Sequence, residues 1–184
     1  MKRALLIAGA LIAVLTWACT KQSLKATYDK QTTYIESFIT AQMKADTNAR
    51  LTRNQGAYRL TLHDTLDVHR DSLRAGGRVS LFYACYVLSS SSVSASNLVA
   101  TNRKETATAA GWKLTDTLQF RQDTLTLDGT LLNGFYMGLE GVQPKDEGYI
   151  LFTGEFGYGK LERGTIPAKS ALAYHIWIDD IYNE

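Results

Sequence analysis

The chain has 184 residues, with 20 Lys and Arg against 18 Asp and Glu and a hydrophobic content of 45%. That length suits one domain plus a tether, and so balanced a charge leaves no basic face to argue for a nucleic-acid partner. Cysteine occurs only at Cys19 and Cys85, too few for a disulfide framework.

The N-terminus reads MKRALLIAGALIAVLTWAC. Lys2 and Arg3 open it with positive charge, and Ala4 to Val14 form an apolar stretch too short for a membrane span. The segment, with small Ala18 before Cys19, resembles a bacterial lipoprotein signal. It departs from that pattern at Thr16, where a branched aliphatic is usual, with Leu15 one position further back. The alternative is an ordinary secretory signal with Cys19 as a bystander. The resemblance implies that residues 1–18 are removed and that Cys19 is lipidated. The membrane then becomes a partner through that anchor, and the expected location is the cell envelope, at the outer membrane facing the periplasm. Losing Lys2 and Arg3 leaves 18 basic and 18 acidic side chains, so the slight excess of positive charge belongs to the signal.

Residues 19–50 read as the tether and a helix, and 51–184 as the folded domain. Thr20 to Leu24 is polar. From Lys25 to about Ala45, Ile35, Phe38, Ile39 and Met43 keep helical spacing, with Tyr28 and Tyr34 beside them. This predicts an amphipathic helix that packs on the domain or spaces it from the membrane. After Arg50 the period becomes two: Ala57 to Leu62 (AYRLTL) reads as a strand, and Val68 as the start of a short one. DSLRAGG at 71–77 is a turn, and Arg78 to Leu88 is a strand apolar enough to be covered on both faces. Within it, Cys85 reads as a small buried hydrophobe.

SSSSVSAS at 89–96 reads as a solvated loop, and RKETATAAGWK at 103–113 shows no period, only Trp112 in polar surroundings. Thr124 to Leu127 is a short strand, Asn133 to Gly141 a short helix framed by glycines, and Tyr149 to Thr153 a buried strand. In the last strand Leu172, Tyr174, Ile176 and Ile178 face one way, and Ala173, His175 and Trp177 the other. His175 reads as surface decoration, and Glu140, Glu147 and Glu155 as solvated. His63 and His69 would lie roughly 20 Å apart along a strand, too far to share a metal. Neither a metal nor a cofactor is expected. The order of elements favours an antiparallel α+β fold.

Against this frame, LLNGF at 131–135, GYG at 157–159 and Ile166-Pro167 stand in order, with GGRVSLFY at 76–83 upstream. The set resembles FKBP-type peptidyl-prolyl isomerases over about residues 56–182. Their pattern is a Gly-Asp-x-Val-x-Val-x-Tyr strand, Val-Ile-x-Gly-Trp opening a short helix, Ala-Tyr-Gly, a flexible loop and Ile-Pro-Pro. The resemblance implies a twisted antiparallel half-barrel of about five strands around a short helix, here preceded by the N-terminal helix. Its ligand site lies between that helix and the concave face, and its partners would be proline-containing peptides or proteins.

By that resemblance, Tyr158 is the tyrosine whose hydroxyl bonds a ligand carbonyl, Phe135 stands for the floor tryptophan, and Tyr83 and Ile166 complete the catalytic set. Leu131 and Leu132 match the Val-Ile pair, and Tyr174 a floor phenylalanine. Val99-Ala100 fall where the family has Phe-Asp, so Val99 keeps an apolar wall while the acid is missing, with Asp116 or Asp123 as nearby candidates. Thr165 replaces a second isoleucine. The implied function is an envelope folding factor of weak isomerase activity; the alternative is a non-catalytic lipoprotein that binds peptides or partners.

Overall fold

The period-two segments pair into one antiparallel sheet. In the computed structural model the described residues are 2–63, 71–115 and 119–183, with side chains described from residue 22 onward. Val68, the His69 of the histidine pair and Asp116 therefore lie outside the described residues, as does the side chain of Cys19. Among the described residues the strands are β1 (Arg50–Asn54), β2 (Ala57–Leu62), β3 (Arg78–Val87), β4 (Leu98–Thr101), β5 (Asp123–Thr126), β6 (Glu147–Phe152) and β7 (Leu172–Tyr182). The helices are α1 (Lys2–Ala45), α2 (Lys104–Ala109) and α3 (Asn133–Leu139).

The strand order is β1-β2-β6-β7-β3. Beyond β3, β4 pairs with its Ala84–Tyr86 end and β5 with its Arg78–Leu81 end. The sheet curls around α3 without closing, and its seven strands exceed the expected five or so. The additions are short edge strands. β1 carries a single apolar side chain, Leu51, so its sequence lacks alternation; backbone pairing with β2 through the Gln55-Gly56 turn makes it a strand. Both turn residues have positive φ, 44° and 108°, as a two-residue hairpin requires. Helix α2 lies in the segment without period because six residues, of which only Ala107 is buried, cannot display one.

The two faces of the sheet carry separate cores. Val79, Leu81 and Cys85 of β3, Ile150 and Phe152 of β6, and Leu172 and Ile176 of β7 face α3. The opposite face presents Leu60, Tyr149, Leu151 and Ala173 to Ile35, Phe38 and Ile39 of α1. The N-terminal helix thus packs on the domain. Burial on both sides is why β3 and β6 read as nearly continuous apolar runs.

Helix α3 lies unusually close to the sheet. A Cβ on Gly134 would stand 2.2 Å from the Phe152 ring, and one on Gly138 2.1 Å from Ile150 Cγ2. The C-terminal end of α3 is held by β1 and β2. Arg59 donates from Nη1 to the carbonyls of Gly138 (3.2 Å) and Glu140 (2.5 Å). Asn54 donates to the Met137 carbonyl at 3.1 Å. A cation at the carbonyl end satisfies orphan acceptors and complements the helix dipole.

Candidate functional site

The eight side chains singled out in the sequence come from six parts of the chain and meet in one apolar cluster on the α3 face. Tyr83 comes from β3, Val99 from β4, and Leu131 and Leu132 from the approach to α3. Phe135 is on α3, Tyr158 and Ile166 lie on the loop after β6, and Tyr174 is on β7. The Tyr174 ring stacks on Phe135 at 4.3 Å between centroids and lies 5.9 Å from Phe152. Tyr83 approaches the same ring at 6.1 Å. Stacked and tilted rings at these separations are favourable for aromatic quadrupoles.

Burial favours the neutral forms of Tyr174, Cys85 and Tyr83 in this apolar wall. Burial drives the Tyr174 phenol well above the usual tyrosine range, with a side-chain hydrogen bond to Cys85 and the nearby Tyr158 and Tyr83 adding to it. Burial also pushes the Cys85 thiol up to about 12. A thiol so protonated is no nucleophile at neutral pH, in keeping with its place as a buried hydrophobe. The Tyr83 hydroxyl is raised by burial, then by the charge of Asp123 and by Cys85 and Tyr158. Neutral phenols at Tyr83 and Tyr174 can exchange hydrogen bonds but do not act as acids or bases at neutral pH.

Ala100 also packs on this cluster, and β4 (LVAT) carries no carboxylate at any position. A carboxylate enters from β5. Asp123 pairs with Leu81 in register and shares its strand face with Leu125, which packs against the cluster. Its charge is felt at the Tyr83 hydroxyl.

Asn102 has a role that the sequence pattern did not reveal. It follows β4, is 2% exposed, and fills the gap in the ladder between β4 and β5. Its Oδ1 accepts the Tyr83 N–H at 2.7 Å and its Nδ2 donates to the Leu81 carbonyl at 3.1 Å. Thr101 Oγ1 donates to the Tyr83 carbonyl at 2.6 Å. These bonds replace strand pairing and fix the backbone of Tyr83. An asparagine after a strand gives no signal of this in one sequence.

The loop bearing Tyr158 is tied at several points. The Gly134 N–H donates to the Phe156 carbonyl at 2.8 Å, joining the start of α3 to the loop. The Gly159 N–H donates to the Gly154 carbonyl at 2.9 Å, closing a turn around Tyr158. Arg163 and Ile166 exchange two backbone hydrogen bonds of 3.0 and 2.9 Å. Gly164, at φ +57°, permits that tight return, which leaves Ile166 only 9% exposed.

Two expectations outside the site are corrected. His175 is not surface decoration: its side chain is 16% exposed. It lies between Tyr149 and Trp177 at centroid distances of 4.3 and 3.8 Å. Alternation placed it on the outer face, but that face is covered by neighbouring aromatics, with Arg103 stacked 4.2 Å from the Trp177 ring. Glu147 is not merely solvated, because its Oε1 lies 2.9 Å from His175 Nε2, and Glu140 accepts a hydrogen bond from Asn54 at 2.9 Å. Burial lowers the His175 pKa to about 4, aided by Arg103 and opposed by Glu147. Neutral His175 then donates from Nε2 to the carboxylate. Among the described residues no group of three or more His, Cys, Asp or Glu is placed to hold a metal.

No protein-family model matches the chain, and no curated protein sequence does. Solved structures do. FkpA from Escherichia coli is similar at TM-score 0.55 and 13% identity, over 96% of this chain and 71% of FkpA. A peptidyl-prolyl cis-trans isomerase from Pseudomonas syringae pv. tomato is similar at TM-score 0.56 and 14% identity, over 86% of this chain and 96% of the isomerase. A structure of the three FKBP domains of wheat FKBP73 is similar at TM-score 0.55 and 9% identity, over 74% of this chain and 50% of that one. The chain has the fold of the FKBP-type peptidyl-prolyl isomerases, in a divergent form.

Proposed function

We propose that the protein binds proline-containing segments on the α3 face of its sheet and accelerates their cis-trans isomerisation weakly, as a folding factor of the cell envelope. The observation that carries this reading is the convergence of Tyr83, Phe135, Tyr158, Ile166 and Tyr174 from separate elements onto one apolar cluster. Rotation about an X-Pro bond faces a barrier of roughly 18–20 kcal/mol set by amide resonance. Twisting removes charge separation from the amide, so an apolar aromatic wall disfavours the planar ground state relative to the transition state. The Tyr158 hydroxyl would hold a peptide carbonyl. No nucleophile, metal or general base is needed, and lowering the barrier by about 5–6 kcal/mol gives a roughly ten-thousandfold acceleration.

The replacement of the β4 acid by Ala100 favours a second reading, in which the same wall binds proline segments without catalysis. Lipidation at Cys19, and with it anchoring at the outer membrane facing the periplasm, is part of either proposal. It rests on the signal-like N-terminus and is tested by mass spectrometry of the membrane fraction against Cys19→Ser.

A protease-coupled assay on residues 20–184, using peptides with several residues before proline, separates the two functions. A rate at background on all of them removes catalysis and leaves binding. If the rate rises above background, Tyr158→Phe should cost about 1 kcal/mol of activation, the worth of one hydrogen bond. Phe135→Ala should lower both rate and stability. Unchanged rates in both variants would place the site elsewhere.

A further inference from the structure

The loop that carries Tyr158 and Ile166 leaves the sheet at Gly154 and returns at Lys169. Its two ends touch: a Cβ on Gly154 would lie 2.4 Å from the Lys169 carbonyl oxygen. One side chain from the other side of the sheet reaches this junction. Gln31 of α1 accepts the Gly154 N–H at its Oε1 (2.9 Å) and donates from its Nε2 to the Lys169 carbonyl (2.5 Å). Only this orientation of the amide satisfies both backbone groups. The bonds span 123 and 138 residues of sequence, so neither follows from local structure.

Clefts between α1 and the loop flank this contact. A cleft of about 320 Å³ lies on one side of Gln31, lined by Lys30, Tyr34, Leu88 and Ser170. A second, of about 370 Å³, lies between Tyr28 and Glu155. Within the loop, the Lys169 N–H bonds the Gly159 carbonyl, and the Gly159 N–H bonds the Gly154 carbonyl. A displacement at either end is therefore passed directly to the turn that holds Tyr158.

We infer that Gln31 is a positioning residue for the ligand site, and that α1 presets the Tyr158 loop from the opposite face of the sheet by closing its two ends together. Building on the proline-binding reading above, docking of α1 tightens the grip on a bound proline segment, and loss of the Gln31 bonds loosens it. The helix is then part of the binding device.

The test compares the full chain with Gln31→Met, similar in length but unable to make either bond, and with Gln31→Glu, which keeps the acceptor for Gly154 N–H and loses the donor. Amide exchange at Gly154, Gly159 and Lys169 should quicken about fivefold or more in Gln31→Met, the loss of a hydrogen bond of ordinary strength. Exchange in β3 and β7 should stay unchanged. Gln31→Glu should retain protection at Gly154. Affinity for a proline tetrapeptide should fall about fivefold in Gln31→Met. Unaltered exchange at Gly154 overturns the clamp, and so does an acceleration shared equally by β3 and β7, which would mark general destabilisation. Local loosening with unchanged peptide affinity overturns its role at the site. If the wild-type chain binds no proline peptide, the proposed function fails, while the exchange comparison still decides the clamp.

Discussion

Gly138 lets α3 lie directly on β6, and a methyl group there would have to share space with Ile150 Cγ2 at 2.1 Å. Gly138→Ala is therefore expected to destabilise the fold by about 1–3 kcal/mol through overpacking, despite the better helix propensity of alanine. The midpoint of urea unfolding measures it. The glycines framing this helix were visible in the sequence, but the ring and branched side chain they accommodate were not. His175 shows the same limit from the other side. Its strand face was legible; its enclosure by Tyr149, Trp177 and Glu147 depends on β6 and on the neighbouring Arg103. An unfolded histidine takes up its proton near 6.5, and His175 in the fold only near 4. Between those values the unfolded state binds more protons, so stability should decline as pH falls through that window. Thermal unfolding from pH 7 to 4 should show this decline, and His175→Gln should flatten it.

At the scale of elements, α1 is the piece whose role depends most on tertiary contact. Its spacing of Ile35, Phe38 and Ile39 announced an apolar stripe, and these three residues are the ones buried against the sheet, while Met43 remains 39% exposed. Phe38 meets Tyr149 edge to face at 4.9 Å. Phe38→Ala should cost about 3–5 kcal/mol by leaving a cavity under the helix, read from guanidinium unfolding. β1 and α2 escaped detection for opposite reasons. β1 has too little apolar alternation because it is an edge strand held by main-chain pairing, and α2 is too short to show a helical period. The capping of α3 by Arg59 and Asn54 was equally hidden, since a basic residue at the third place of AYRLTL looks like an ordinary solvent-facing position.

For the whole molecule, one sheet separates two cores, and the candidate site belongs to only one of them. The isomerase assay and the Tyr158→Phe comparison thus probe the α3 face, and Gln31→Met asks whether the α1 face reaches it. By itself the sequence determined the antiparallel α+β class, the burial of β3 and β6, the two faces of β7, and the identity of the side chains that form the apolar wall. Those follow from side-chain periodicity and from motif order, both of which are local or collinear. Tertiary structure decided what enters that wall from outside the motifs. Asp123, one of two acids the sequence offered, arrives from β5 because of its register with Leu81, and Asn102 completes the β3 ladder in the gap between two short strands. Gln31 closes the Tyr158 loop from a helix more than a hundred residues earlier. Each is a polar side chain whose partner is set by three-dimensional proximity, and no spacing along a single chain encodes such a contact.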